Sequence, residues 1–411
     1  MLKKIQDHIA TLRDEAIFLQ KEMSRRVALG PQNDGRGEKE KADFLIDYLQ
    51  RLGISQITQL NAPDPDVPCG YRPNIAAKIM GKNTEKTIWI VSHMDVVPPG
   101  DLELWKTNPY QVVVDGDTLI GRGVEDNQHG LTSSLLVAHA LQKLSVTPDL
   151  NLGLLFVADE ETGNNLGIHY ILEHHAEIFR ENDLFLVPDH GVPTSDKIEI
   201  AEKGLLWIKV TVNGKQSHAS TPEEGVNSLR AAAAFILKTD ELYSKFDKRN
   251  DLFSPPISTF APTRKEANVP NINTIPGKDV FYLDCRILPG YTLGEIKTAV
   301  KEMAGEIEAQ YQVKIDLEIV QEEHPAPVTS QESEIFLRLE KAIADVYHVS
   351  AKSTGIGGGT VGSPLRKKGF AVAVWSTLLG NAHKANEKTS VQNMLNDAQV
   401  IAELVVEPKA K

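Results

Sequence analysis

From residue 73 to about residue 199, short apolar runs alternate with stretches of helical spacing. NIAAKIMG, TIWIVSHMDVV, LNLGLLFVADEE and DLFLVPDH are nearly continuous in apolar residues, which is the pattern of strands buried on both faces of a sheet. Between them, residues 130–144 and 166–175 predict helices, so this region is an α/β core. Near residue 203 the pattern changes. KGLLWIKVTVNG alternates as a half-buried strand, residues 227–243 form an alanine-rich helical stretch, and PGKDVFYLDCRILPG is a second strand. A helix over 293–311 and the strand VKIDLEIVQEE follow. The order predicts a split βαβ unit, a four-stranded sheet with two helices on one face. After the proline-rich HPAPVT come a helix over 333–346, a glycine-rich loop, the strand AVAVWST and a last helix, which return to the first domain. The predicted organisation is a discontinuous catalytic domain, 1–203 with 323–411, interrupted by an inserted α+β domain over 204–322.

Composition narrows the function classes. The chain has 411 residues and a net charge of −12, so no basic surplus meets the phosphates of a nucleic acid or an anionic membrane. Its two cysteines, Cys69 and Cys285, exclude a disulfide framework or a thiolate zinc knuckle and fit a reducing, cytoplasmic compartment. The N-terminal MLKKIQDHIATLRDEAIFLQKEMSRR lacks a signal-peptide core and predicts an amphipathic helix. The longest apolar runs are strand-length, so no membrane span is expected.

Candidate chemistry gathers at the ends of the predicted strands. In SHMDVVP, His93 and Asp95 are two apart, on one face of a strand, where a carboxylate can hold the second ring nitrogen of a metal-binding histidine. GRGVEDNQHG turns a strand into a helix and places Asp126 near the helix N-terminus. There it is either an ordinary cap or a bridging ligand, and a cis peptide after it is expected. DEETG places Glu160 and Glu161 directly after a buried strand, a crowding of acids that a cation would compensate. Asp189 ends LFLVPDHG, and His383 lies in GNAHKANE after another strand. In an open α/β sheet this edge is where sites form. A serine hydrolase is a poor alternative, because no G-x-S-x-G elbow follows a strand.

The ordered set SHMDVVP, GRGxxDN, DEETG, PDHG and AHKANE resembles the M20 family of metallopeptidases and deacylases over essentially the whole chain. That resemblance implies a zinc-peptidase-like catalytic domain with a mixed sheet flanked by helices, interrupted by a lid and dimerisation domain. It implies two divalent metal ions, zinc or else cobalt or manganese. His93 and Asp189 would hold one, Glu161 and His383 the other, and Asp126 would bridge them. Asp95 would orient His93, and Glu160 would act as general base. In NGKQSHAS, His218 would stabilise an oxyanion, in dimeric members across to the partner. Asn273, Arg286 and the loop residues Gly358, Gly359 and Thr360 would hold the substrate, with Arg286 clamping a free carboxylate. The implied substrate is a small peptide, with an N-acyl amino acid as the alternative and a non-catalytic binding protein as a remote one. The short lid favours a homodimer. Three departures leave the substrate open: Gln128 and His129 stand where a lysine is common, no acidic residue follows the GGT run, and Asp189 replaces the glutamate usual in deacylases. The last favours peptides.

Overall fold

A computed structural model describes residues 1–406. It divides into two compact units, one of Met1–Ile200, Thr329–Thr354 and the chain from Thr360 onward, the other of Ala201–Val328 with Gly355–Gly359. No helix among the described residues is long and apolar enough to cross a membrane.

The larger unit is built on an eight-stranded mixed sheet in the order Gln56–Gln59, Ile75–Ile79, Leu150–Val157, Asn83–His93, Leu184–Gly191, Ala371–Ser376, Lys197–Glu202, Lys352–Ile356. The strands Leu150–Val157, Asn83–His93, Leu184–Gly191 and Ala371–Ser376 run parallel to one another. Their registers pair His93 with Val157 and Ser376 with Gly191, so the four carboxyl ends share one edge. Trp89, Val91, Leu155, Val157, Phe185, Val187 and Val374 form a core on one face of these strands, closed by Ile168, Ile171 and Leu365 from helices. Trp89 is paired with Gly153, and a Cβ at Gly153 would lie 2.4 Å from the indole ring. The glycine in an otherwise apolar strand is therefore the space the tryptophan occupies.

The smaller unit is the split βαβ arrangement. Four antiparallel strands lie in the order Thr259–Lys265, Lys278–Ile287, Gly204–Asn213, Lys314–Glu323. Leu206, Ile208, Val210 and Val212 face Phe235, Ile296, Val300 and Met303 of the helices Ser228–Lys238 and Leu293–Tyr311.

Several boundaries differ from the pattern reading. The N-terminal helix is two, Leu2–Ile9 and Arg13–Ser24, because Thr11 bonds back to the His8 carbonyl and Leu12 turns inward. The stretch 227–243 likewise breaks after Lys238, where the Thr239 hydroxyl bonds to the Ile236 carbonyl. The edge strand Thr259–Lys265 is mostly exposed and contains Pro262, so neither periodicity nor composition marked it.

Gly153→Ala is expected to destabilise the protein by about 1–3 kcal/mol through overpacking against Trp89. Chemical denaturation with tryptophan fluorescence measures the loss, and an unchanged midpoint would refute the packing account.

Candidate metal centre

Each candidate ligand reaches the shared edge by a local device. His93 is the last residue of its strand and is buried. Its Nε2 lies 2.9 Å from Asp126 Oδ1 and 3.4 Å from Asp189 Oδ1. Nδ1 faces the Asp95 carbonyl at 3.0 Å and the Asp95 carboxylate at 3.4 Å. Asp126 sits in the turn before the helix Gln128–Lys143, with Asn127 as the cap residue, and the Asp126–Asn127 peptide is cis. Its other oxygen, Oδ2, is 3.1 Å from His383 Nε2. Asp189, near the end of its strand, accepts a bond from Asn127 Nδ2 at 2.6 Å.

The acids after the strand Leu150–Val157 do not stay extended. Asp159 adopts a left-handed conformation, and Glu160–Thr162 form a 3-10 turn. This replaces the opposite-face arrangement expected of adjacent residues in a strand. The turn is held from both sides. Asp95 Oδ1 and Oδ2 accept the backbone N–H groups of Glu160 and Glu161 at 3.1 and 3.0 Å. The fully buried Arg72 pairs with Glu38 and lies 3.5 Å from Asp159, whose carboxylate also takes the Thr162 hydroxyl and the Leu166 N–H. Glu161 then places Oε2 3.2 Å from His383 Nε2, and its buried Oε1 has no hydrogen-bond partner.

The result is two donor triads, His93–Asp126–Asp189 and Asp126–Glu161–His383, each with its donor atoms within 4.8 Å of one another. Imidazole nitrogen with carboxylate oxygen is a donor set for a divalent cation of the zinc type, and the orphaned Glu161 oxygen is what such an ion would satisfy. The protonation pattern has the same cause. Desolvation pushes Glu160 well above the usual carboxylate range, and the Asp189 and Glu161 charges add to it. Burial, reinforced by Asp126, raises Glu161 to about 7. Burial opposes ionisation of Asp126, yet hydrogen bonds from His383 and His93 hold it well below its ordinary value. Hydrogen bonds to Asp126 and Glu161 raise His383 to about 10.

Three residues outside the sequence candidates set this geometry. Glu387 accepts the N–H groups of Gly123, Glu125 and Asp126 and pairs with Arg122. Glu125 accepts those of Gly380 and Asn381, and Asn127 ties Asp189 to the turn. Glu125 and Glu387 stand in the motifs GRGVEDNQHG and GNAHKANE, but no local signal in the sequence separates them from solvated acids. Gln128 and His129, the departures near Asp126, point into the core. Gln128 accepts from Ser24, and His129 is bonded to Thr389 and Asp397.

In the smaller unit, His218 lies in a short antiparallel ladder of Ser217–His218 with Thr274–Ile275, and Asn273 directly precedes the second strand. His218 Nδ1 accepts the Ser220 N–H at 3.1 Å. Arg286 is bonded through Nε and Nη2 to Asp284 at 2.8 and 3.0 Å and through Nη1 to the Gly357 carbonyl at 3.0 Å. Open space lies over Gly358, while Gly359 faces Glu202. Thr360, in the larger unit, is buried, and its hydroxyl accepts the Gly362 N–H.

A model of peptidase family M20/M25/M40 matches residues 89–407. The chain belongs to this family. It is a metallohydrolase, and family membership implies a divalent metal. An uncharacterized metallohydrolase of Methanocaldococcus jannaschii is 40% identical over 410 residues, covering 96% of this chain and 99% of its own. A succinyl-diaminopimelate desuccinylase of Ehrlichia chaffeensis is 24% identical, covering 95% of this chain and 97% of its own. Among solved structures, the di-peptidase Dug1p of Saccharomyces cerevisiae superposes with a TM-score of 0.75 at 18% identity, covering 98% of both chains. The α/β fold, with its eight-stranded mixed sheet and separate small antiparallel sheet, is the family's.

Cation uptake by this family member should expel protons. His383 must be neutral to offer Nε2, and its value of about 10 keeps it protonated near neutral pH. Glu161, at about 7, is part-protonated there. Apparent affinity should therefore rise with pH up to about 10, by about tenfold per pH unit for each proton expelled, with the Glu161 share lost above about 7. Calorimetry in buffers of different ionisation enthalpy counts those protons, and uptake without proton release would contradict the assignment.

Proposed function

We propose that this chain is a two-metal hydrolase of small peptides. The observation that carries the reading is the single Asp126 carboxylate common to both donor triads. His93 and Asp189 would hold one cation and Glu161 and His383 the other, with Asp126 offering an oxygen to each. The donors suit zinc, with cobalt or manganese as substitutes. Bound there, divalent cations supply Lewis acidity toward an amide carbonyl and acidify a water.

The chain's own residues do the rest. Asp95 orients His93 and holds the turn that presents Glu160. Glu160 would take a proton from the attacking water and return it to the leaving amine nitrogen. Because His218 Nδ1 accepts the Ser220 N–H, a neutral ring carries its proton on Nε2, which makes Nε2 the donor to an oxyanion. Three of the five Arg286 N–H groups are engaged, leaving one on each terminal nitrogen for a substrate carboxylate. The family resemblance also makes Asn273, Gly358, Gly359 and Thr360 candidate substrate contacts.

Peptides are favoured by Asp189, the shorter acid at a position where the family's deacylases usually carry glutamate. Deacylation of N-acyl amino acids is the second reading, supported by the desuccinylase relatives. A homodimer through the inserted domain, 204–322, fits the edge position of the strand Lys314–Glu323, with Ile319 and Val320 exposed on it. Two unpaired cysteines support a cytoplasmic location.

The deciding experiment strips the protein with chelator, restores zinc, cobalt or manganese, and compares dipeptides with N-acetyl and N-succinyl amino acids. Metal-dependent dipeptide cleavage supports the proposal, and turnover of N-acyl amino acids alone replaces it with the second reading. Glu160→Gln should lower kcat by a factor of about 100 to 10,000 with metal content unchanged. Arg286→Ala should raise KM for substrates with a free carboxylate by about 10- to 100-fold. Steady-state kinetics with metal analysis checks both, and full activity in the Glu160 variant would remove the general base.

A further inference from the structure

Four of the five ligand candidates are anchored by the sheet, directly or through a turn held against it. His383 is not. It lies in the loop between Ala371–Ser376 and Lys388–Ser390, with a backbone φ of 64° and a side chain 55% exposed. A histidine in that conformation on an exposed loop has no intrinsic reason to hold Nε2 within 3.1 Å of Asp126 and 3.2 Å of Glu161. Something must fix the loop.

The fixing groups are two buried carboxylates exchanged between the loops. Glu125, next to Asp126, is 1% exposed, and its two oxygens accept the N–H groups of Gly380 at 2.7 Å and Asn381 at 2.9 Å. Glu387, four residues after His383, is fully buried and reaches back. It takes the N–H groups of Glu125 at 2.9 Å and Asp126 at 3.1 Å on one oxygen, and Gly123 at 3.1 Å and Arg122 at 2.5 Å on the other. The Gly121 N–H closes the brace on the Glu387 carbonyl at 3.0 Å. Each loop is thus clamped by an acid from the other. Of the two, only Glu125 grips the His383 side without also building the Asp126 turn through its side chain.

We infer that Glu125 is a positioning residue for the metal centre: it fixes the His383 loop and thereby sets the occupancy of the Asp126–Glu161–His383 seat, leaving the His93–Asp126–Asp189 seat untouched. The inference rests on the two-metal reading above. Glu125 meets only backbone N–H groups among its described contacts, so it is not a ligand. Outer partners of this kind typically govern metal affinity by about 10- to 100-fold.

The test titrates cobalt into the metal-free full-length chain and follows visible absorption and bound equivalents. His383→Ala and His93→Ala mark which equivalent belongs to which seat. Glu125→Ala is expected to weaken the His383 equivalent by about 10- to 100-fold and leave the His93 equivalent unchanged. Glu125→Gln keeps one acceptor oxygen and should recover part of the loss, even if the alanine variant folds poorly. Thermal unfolding of the metal-free variants separates this from general destabilisation. Equal weakening of both equivalents, or of neither, overturns the inference while leaving two metals in place. A wild-type chain that binds one equivalent, insensitive to His383→Ala, overturns the two-metal reading and the inference together.

Discussion

Like charge crowded at the carboxyl edge of four parallel strands is the constraint around which the larger unit is organised. Asp95, Asp126, Glu160, Glu161 and Asp189 converge there with two histidines, and burial makes each further negative charge costly. The protein answers in two ways. Carboxylates that stay inside are turned onto backbone N–H groups, as Asp95 is onto Glu160 and Glu161 and Glu387 onto Glu125 and Asp126. Elsewhere the charge is carried by titration: burial raises Glu160 and Glu161, and hydrogen bonds to Asp126 and Glu161 raise His383.

The same bonds that relieve the charge also build the geometry. A carboxylate that accepts two successive N–H groups dictates the path of the turn carrying them. Asp95 is both the partner of His93 Nδ1 and the clamp on the Glu160–Glu161 turn, so it couples ring orientation to base position. Removing it would loosen both. Arg72 performs the complementary task beneath the turn, where its buried charge is matched by Glu38 and Asp159. Buried ion pairs of this kind add little net stability but are costly to break. They fix one arrangement among several.

Legibility from sequence followed this division. The strands were readable because parallel central strands are apolar along their whole length, as LNLGLLFV and TIWIV are. Three of the candidate ligands, His93, Glu161 and Asp189, were readable because an acid or a histidine closes an apolar run. The path of the chain between ligands was not: Asp159 turning left-handed and the 3-10 turn after it come from tertiary contacts to Arg72 and Asp95. Thr259–Lys265 escaped for the opposite reason, since an exposed edge strand with a proline carries little periodic signal. Glu125 and Glu387 stood in the quoted motifs, but nothing local distinguishes an acid that binds backbone across more than 250 residues of sequence from one that faces water.

Substrate choice lies on a different link of the chain from metal binding. In the proposed two-metal reading, the edge of the sheet holds the cations with residues whose chemistry is nearly independent of what flanks a scissile amide. Discrimination must come from groups that touch the remainder of the substrate. Among those proposed, Arg286 is already half committed: Asp284 takes two of its N–H groups and the Gly357 carbonyl a third. Its charge is therefore partly spent, and what it has left for a ligand is an oriented pair of N–H groups. Such a clamp selects by geometry more than by charge. Under the proposal it would accept the carboxylate of a dipeptide or of an N-acyl amino acid alike, which leaves the choice between them to the group on the other side of the amide.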